Sequence, residues 1–170
     1  SYTQRGTIRH PAMGAWMLRL SGRHNKSLPG NVRIGGDSRH PGAGFMEAEF
    51  SPLPIGDPTA GLQNSKIVRG TTQNQFDSRL SLSSALDAEF RDRFNQKKVR
   101  SYNDAYDDAV RLMTSEELEA FNVYREPETV RMAYGDNPFG QGVLLARRLV
   151  ENNVRFVEVT LGGWDTHQSN

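Results

Sequence analysis

The sequence predicts an α/β fold of three layers, in which a mainly parallel β-sheet is flanked by helices. Two observations carry this prediction. Residues 138–153 have the apolar spacing of a helix and run directly into the apolar segment 154–161, which reads as a strand. A second short strand is predicted at residues 32–34 and, like the first, it runs into two glycines. In such folds ligands bind beyond the carboxyl ends of the strands, so a site is expected at that edge.

The predicted helix carries signals at both of its ends. Asn137 suits the N-cap, and Pro138 suits the first turn because its ring fixes φ and its missing N–H is not needed there. The pair Asn152-Asn153 indicates a left-handed stop. The apolar residues between these signals are Phe139, Val143, Leu145, Ala146, Leu149 and Val150. Their helical spacing predicts one buried face.

The strand that follows is apolar on both of its faces. Val154 and Phe156 point one way, whereas Val157, Val159 and Leu161 point the other, because successive side chains of a strand alternate. Strands with this pattern are covered on both sides. The segment therefore favours a parallel sheet with helices on each face.

An acid and an imidazole follow the strand. Gly162-Gly163 lets the backbone turn or approach a ligand closely, and an extended chain after it would place Asp165 and His167 on the same side. The two side chains could bind one divalent metal, or Asp165 could orient His167 as a base. The alternative is structural: Asp165 caps a turn, His167 is exposed and Trp164 fills the core.

The first helix of the chain is predicted from Pro11, which suits a helix start, to Gly22, which suits a stop. Its large apolar residues recur at helical spacing and are Met13, Trp16, Met17 and Leu20. A stripe of methionine and tryptophan is more often core than cofactor site. We therefore expect this stripe to be buried.

The middle of the chain is predicted to contain two contrasting sections. Residues 37–70, rich in Pro, Gly and Ser, are expected to form a long loop excursion, in which His40 is either a ligand or a solvent-exposed side chain. Residues 80–135 are expected to be helical, with an amphipathic helix from Leu80 to near Lys98 and further helices after it.

Composition excludes several classes of function. The 170 residues are about one domain's worth of chain, and we expect residues 1–170 to be part of a single α/β domain. A net charge of +1 leaves no electrostatic footprint for nucleic acid, and no apolar run is long enough to span a membrane. Without cysteine the chain has neither disulfides nor thiolate ligands. Because it begins without Met and stops just after His167, we expect it to be an internal piece of a longer protein.

The order of motifs resembles the DUF1501 family, an exported bacterial group similar to the alkaline phosphatase and sulfatase superfamily. The resemblance is carried by three segments, and it is densest in the last, where ARRLVE, VRFVEV and GGWDTH are family-like as written. The segments are HPAMGAWMLRLSGRHNKSLPGNVRIGG, PGAGFMEAEFSPLPIGDPTAGLQN and EPETVRMAYGDNPFGQGVLLARRLVENNVRFVEVTLGGWDTHQSN.

This resemblance implies an alkaline phosphatase-like fold, incomplete in this chain, with a metal-dependent hydrolase-type site at the strand ends. Asp165 and His167 match the family's WDTH positions, which look like ligands of a divalent metal such as zinc, calcium or manganese. The family's other site elements, including EFGR-like and DH-like motifs, lie outside this stretch. The chain alone is therefore expected to be inactive and to need the remainder of its parent chain or a larger assembly. A twin-arginine export signal in family members implies an exported or periplasmic location.

Two functions remain open on the sequence. The first is a segment of a metal-dependent hydrolase acting on sulfate or phosphate esters, with Asp165 and His167 as metal ligands. The second is a non-catalytic structural or interaction subunit of a larger exported assembly on the same fold. Dinucleotide binding is set aside because neither glycine pair forms a G-x-G-x-x-G motif.

Overall fold

The computed structural model describes residues 8–63, 65, 67, 69–93 and 97–162. Its helices, in chain order, are α1 (Met13–Ser21), α2 (Gln73–Arg93), α3 (Lys97–Thr114), α4 (Glu128–Ala133) and α5 (Pro138–Glu151). The strands are β1 (Asn31–Ile34), β2 (Leu53–Ile55) and β3 (Phe156–Val159). Three short 3₁₀ turns cover Ala48–Phe50, Glu116–Phe121 and Val123–Arg125.

The three strands form one parallel sheet in the order β2-β1-β3. The α/β class and the parallel sheet predicted from the sequence are therefore confirmed. Strand β2 lies within residues 37–70, where the sequence predicted a loop excursion. Its three residues are too few for a periodic signal, and one of them is proline, which is disfavoured in strand interiors.

Helices α1 and α5 cover opposite faces of this sheet. Gly142 of α5 lies against the side chains of Ile34 and Val159, whereas Gly14 of α1 lies against those of Asn31 and Phe156. In β1 the two residues are Ile34 and Asn31, and in β3 they are Val159 and Phe156. Each pair is an odd number of positions apart, so its two side chains point to opposite faces of the sheet. The expectation of a helix on each face is confirmed.

The core lies on the α5 face. Its largest fully buried side chains come from the sheet, from the segment before β1, from α5 and from the turns before α4, and they are Phe121, Leu28, Ile34, Leu144, Leu145, Leu149, Val32 and Val123. They join the other buried residues of one hydrophobic cluster: Ile55, Leu112, Ala120 and Val154. Burial of this aliphatic surface is the main stabilising contribution of the fold.

Helix α5 has the caps that its sequence predicted. The Asn137 side chain accepts a hydrogen bond from the Gly140 amide at 2.9 Å, Pro138 occupies the first turn, and Asn153 stops the helix with φ of 64°. Arg148 then ties the helix to the preceding turns. Its guanidinium pairs with Glu126 and donates to the Glu119 carbonyl at 2.9 Å.

The predicted burial of the α1 stripe is wrong. Met13 and Leu20 are 68% and 78% exposed, and Trp16 and Met17 are also exposed. The residues that α1 buries are Gly14, Ala15 and Leu18. Gly14 has no room for a Cβ against the sheet, so the helix can approach this closely only through small side chains.

Helix α2 begins at Gln73, seven positions before the predicted start at Leu80. A reciprocal cap explains the earlier start: the Thr72 hydroxyl accepts from the Gln75 amide, and the Gln75 side chain accepts from the Thr72 amide. This is the T-x-x-Q form of the capping box, which can be recognised in the sequence. Residues 94–96, at the predicted end of the helix, lie outside the described residues.

Candidate functional site

The three strands end together at one edge of the sheet. Their last residues, Ile34, Ile55 and Val159, are paired in register. The pairing continues one residue further, since the Gly35 amide donates to the Ile55 carbonyl at 2.8 Å and the Thr160 amide donates to the Ile34 carbonyl at 3.0 Å. Three chain segments therefore leave the sheet side by side, as expected for the carboxyl edge of a parallel sheet.

A cavity of about 320 Å³ opens at this edge. It lies between the segments that leave the strands and the N-terminus of α5, where Pro138 and Phe139 form part of its wall. Two of its lining residues, Gly56 and Gly162, have no atom within 4 Å of the position that a Cβ would occupy. The cavity is therefore open just beyond the carboxyl ends of β2 and β3, at Gly56 and Gly162.

Each of the first two strands is followed by glycine and then by an aspartate. Asp37 accepts from the Arg39 guanidinium at 2.7 Å, and this bond lowers the pKa of its carboxyl. Asp57 accepts from the hydroxyl and the amide of Thr59, at 2.7 and 2.8 Å, and these bonds lower its pKa in the same way. Both carboxylates are therefore ionised at neutral pH and are engaged in local turns.

These two aspartates were not among the residues singled out from the sequence. The signal that could have found them is the repeated succession of an apolar strand, glycine and aspartate: IGGD at residues 34–37 and IGD at residues 55–57. Strand β3 is followed by a third version, which leads from Gly162-Gly163 to Asp165. The topology brings the start of each of these segments to the same edge.

The predicted metal ligands Asp165 and His167 lie outside the described residues, as do Gly163 and Trp164. The last described residue is Gly162, which lines the cavity. Within residues 8–162 as far as they are described, no group of three or more His, Cys, Asp or Glu side chains is placed to hold a metal. The metal site therefore stays a prediction.

His40 is neither at this cavity nor solvent-exposed. Its side chain is only 9% exposed, and its Nε2 lies 3.4 Å from a carboxylate oxygen of Glu158. The Gly42 amide donates to Nδ1 at 3.0 Å, so Nδ1 must be an acceptor and Nε2 carries the proton that faces Glu158. Because both ring nitrogens are engaged, His40 serves to hold its loop on the α1 face of the sheet.

A larger cavity, of about 630 Å³, lies at the opposite edge of the sheet, between α3 and the amino end of β2. Three of the charged side chains that line it, Arg23, Asp108 and Arg111, bond to one another and to the main chain. Asp108 accepts from Arg23 at 2.5 Å and from Arg111 at 2.9 Å, while the two guanidinium groups also donate to the carbonyls of Leu28 and Lys26. This arrangement ties α3 to the segment before β1.

Fold and site together define an α/β domain with a parallel sheet and an open cavity at its carboxyl edge. The chain matches the family model described as a protein of unknown function, DUF1501, over residues 2–170, and it belongs to that family. Searches of curated proteins and of solved structures found no significant match. Among the described helices, none is long and apolar enough to cross a bilayer.

Proposed function

We propose that this chain is a segment of a metal-dependent hydrolase-like protein of the alkaline phosphatase and sulfatase superfamily, acting on sulfate or phosphate esters. Asp165 and His167 are the proposed metal ligands. The proposal extends to an alkaline phosphatase-like fold, an exported or periplasmic location and dependence on the remainder of the parent chain for the other site residues. The support comes from the resemblance of GGWDTH and its flanking motifs to the family, together with the geometry of the carboxyl edge.

The observation that carries the proposal is the location of the residues that follow β3. Gly162 lies on the wall of the cavity at the carboxyl edge, and Asp165 follows it by three residues. Three residues span at most about 11 Å, so the sequence Asp165-Thr166-His167 begins within reach of that cavity. In open α/β sheets, bound ligands lie beyond the carboxyl ends of the strands.

The proposed donor set suits a divalent cation. An imidazole nitrogen and a carboxylate oxygen are ligands of zinc and manganese, and the carboxylate also suits calcium. A bound cation would supply charge neutralisation on an ester oxygen and activation of a water molecule. Two ligands are fewer than the three protein ligands of a typical catalytic zinc site. The nearby carboxylates of Asp37 and Asp57 already accept hydrogen bonds from Arg39 and Thr59, respectively.

The described residues contribute shape and electrostatics to this site. Gly35, Gly56 and Gly162 keep side chains out of the cavity wall, which leaves room for an ester group. The N-terminus of α5, at Pro138 and Phe139, forms another part of the wall. The macrodipole of a 14-residue helix favours negative charge near that end, which agrees with an anionic ester as the ligand.

Metal content tests the proposal directly. The complete parent protein, as the wild type, Asp165→Asn and His167→Ala, would be loaded with zinc, manganese and calcium in turn and measured by plasma mass spectrometry after gel filtration. We expect near-stoichiometric metal in the wild type and at least about a tenfold loss of affinity in both variants. Asp77→Asn and His24→Ala, which alter exposed residues away from the cavity, are the matched controls.

Metal-loaded protein would then be assayed with chromogenic sulfate and phosphate esters. If the wild type binds none of the three metals, or if the control variants lose metal as readily as Asp165→Asn, the ligand assignment is wrong.

The second candidate is a non-catalytic structural or interaction subunit on the same fold. It is favoured by the large apolar side chains that α1 exposes, Met13 and Leu20 above all. Exposed apolar patches on folded domains commonly mark protein contacts. Metal-free wild-type protein in the experiment above would favour this candidate.

A further inference from the structure

The cavity at the carboxyl edge of the sheet has an apolar wall beside the N-terminus of α5. The apolar side chains that line it are Ile34, Pro58, Pro138, Phe139, Val159 and Leu161. Among the described residues, no charged side chain lines this cavity. It therefore differs from the larger cavity at the opposite edge, whose lining includes arginines and acids.

The polar side chains among the described lining residues are those of Asn137 and Thr160. The Asn137 oxygen caps α5 by accepting from the Gly140 amide at 2.9 Å. Thr160 has the parity of Glu158, and its hydroxyl lies 3.1 Å from the position that a Cβ of Gly36 would occupy, so it is directed to the α1 side of the sheet. The described wall therefore offers little to bond the hydroxyl groups of a ligand.

Two large apolar side chains of this wall are in contact with water. Phe139 is 37% exposed and Leu161 is 44% exposed, although both line the cavity. An apolar ligand that covers them is favoured because it removes this surface from water. Binding sites for small molecules are commonly apolar cavities of about 300–1,000 Å³ with few polar groups. At about 320 Å³ the cavity suits a single ring or a short alkyl chain.

We propose that this wall binds the apolar part of the ester, so that the substrates are sulfate or phosphate monoesters of small apolar alcohols and not of sugars or nucleosides. The inference rests on the proposed function, in which Asp165 and His167 hold a metal beyond Gly162. The anionic head lies towards the metal and the N-terminus of α5, and the apolar group packs on Phe139 and Leu161. A sugar would lose the hydrogen bonds of its hydroxyls to water without replacement on this wall.

Probes that cannot be hydrolysed test the apolar wall by binding alone. Methylphosphonate and benzylphosphonate share the anionic head and differ in the ring, as do methanesulfonate and phenylmethanesulfonate. Each probe would be titrated into the metal-loaded parent protein in a calorimeter. We expect the ring to tighten binding by at least about tenfold, because it is transferred from water to an apolar surface.

Two variants locate the ring on the wall. Phe139→Ala and Leu161→Ala should each reduce the preference for the benzyl probe by at least about threefold, with metal content and methylphosphonate affinity unchanged. Phe45→Ala is the matched control, since Phe45 is 56% exposed and packs on Trp16 of α1. Far-UV circular dichroism of each variant separates loss of binding from loss of folding, and either cavity variant suffices if the other does not fold.

A matched pair of substrates tests the excluded class. Cyclohexylmethyl phosphate and glucose 6-phosphate each carry a six-membered ring joined through one CH₂ to the ester oxygen, and they differ in the hydroxyls and the ring oxygen. We expect kcat/KM of the parent protein to be at least about tenfold higher for the cyclohexylmethyl ester. The corresponding sulfate esters are compared in the same way.

The outcomes distinguish this inference from the proposed function. Metal-loaded wild type that binds both members of each probe pair equally, or that hydrolyses the glucose ester as fast as the cyclohexylmethyl ester, overturns the inference alone. A ring preference that survives both Phe139→Ala and Leu161→Ala also overturns it, because another surface then holds the ring. Parent protein that takes up no metal and binds no probe contradicts the proposed function and the inference with it.

Discussion

The two faces of the sheet differ in side-chain composition. On the α5 face, Val32, Ile34 and Ile55 of the strands meet Leu145 and Leu149 of the helix, and all of them are at most 5% exposed. On the α1 face the strands present Asn31, Arg33, Phe156 and Glu158, of which two are charged. The helix that covers this polar face contributes Gly14, Ala15 and Leu18 and exposes its large apolar residues.

This difference shows why the buried face was predicted in part for α5 and wrongly for α1. In α5, Leu145 and Leu149 of the predicted face are fully buried, whereas Phe139 and Val150 are exposed, so the sequence period reports only part of the core. In α1 the sheet surface is polar and the helix lies close to it, so small residues face inward. The size of an apolar side chain does not tell which way it points when the buried face is made of glycine and alanine.

The largest expected effect separates the two faces by truncation of one side chain on each. Leu145→Ala removes a fully buried side chain from the α5 face and should lower the free energy of unfolding by about 2–5 kcal/mol. Leu20→Ala on α1 should change it by less than about 0.5 kcal/mol, because Leu20 is 78% exposed. Urea denaturation followed by circular dichroism measures both. Equal losses would mean that α1 buries its stripe after all.

Much of the fold could be predicted because the signals were local. The cap at Asn137, the proline in the first turn and the stop at Asn152-Asn153 located α5, which spans Pro138–Glu151. Apolar residues on both faces located β3, which occupies Phe156–Val159 of the predicted segment 154–161. Strand β2 was not predicted because its three residues owe their conformation to pairing with β1. Pairing partners that are distant in sequence leave no period in the chain itself.

The predicted ligands of the site, Asp165 and His167, lie outside the described residues, and the site stays a prediction. The carboxyl edge was predicted as its location, and a cavity lies there, lined by Gly162. The convergence of the segments carrying Asp37 and Asp57 depends on the register of three strands, which single-strand patterns do not encode. His40 illustrates the same limit, since its partner Glu158 is 118 positions away.

A smaller effect is expected where α1 meets the sheet. Gly14→Ala would place a methyl group against the Asn31 side chain and 2.6 Å from a ring carbon of Phe156, so helix or sheet must shift. The free energy of unfolding should fall by about 1–3 kcal/mol, although alanine is the better helix former. Ser21→Ala, at an exposed position of the same helix, is the control and should be close to neutral. If Gly14→Ala were stabilising, α1 could not lie as close to the sheet as described.

The smallest of these effects concerns the polar layer beneath α1. His40→Ala leaves the Gly42 amide and a Glu158 oxygen without the partners described above, which should cost about 1–2 kcal/mol of unfolding free energy. His24→Ala removes an exposed imidazole and should cost almost nothing. Thermal unfolding at pH 7 compares the two variants, and hydrogen exchange at Gly42 reports on the loop directly. A polar contact contributes less than the aliphatic packing around Leu145 because water satisfies both groups in the unfolded chain. A loss as large as that of Leu145→Ala would therefore show that the α1 face, and not the α5 face, sets the stability of the sheet.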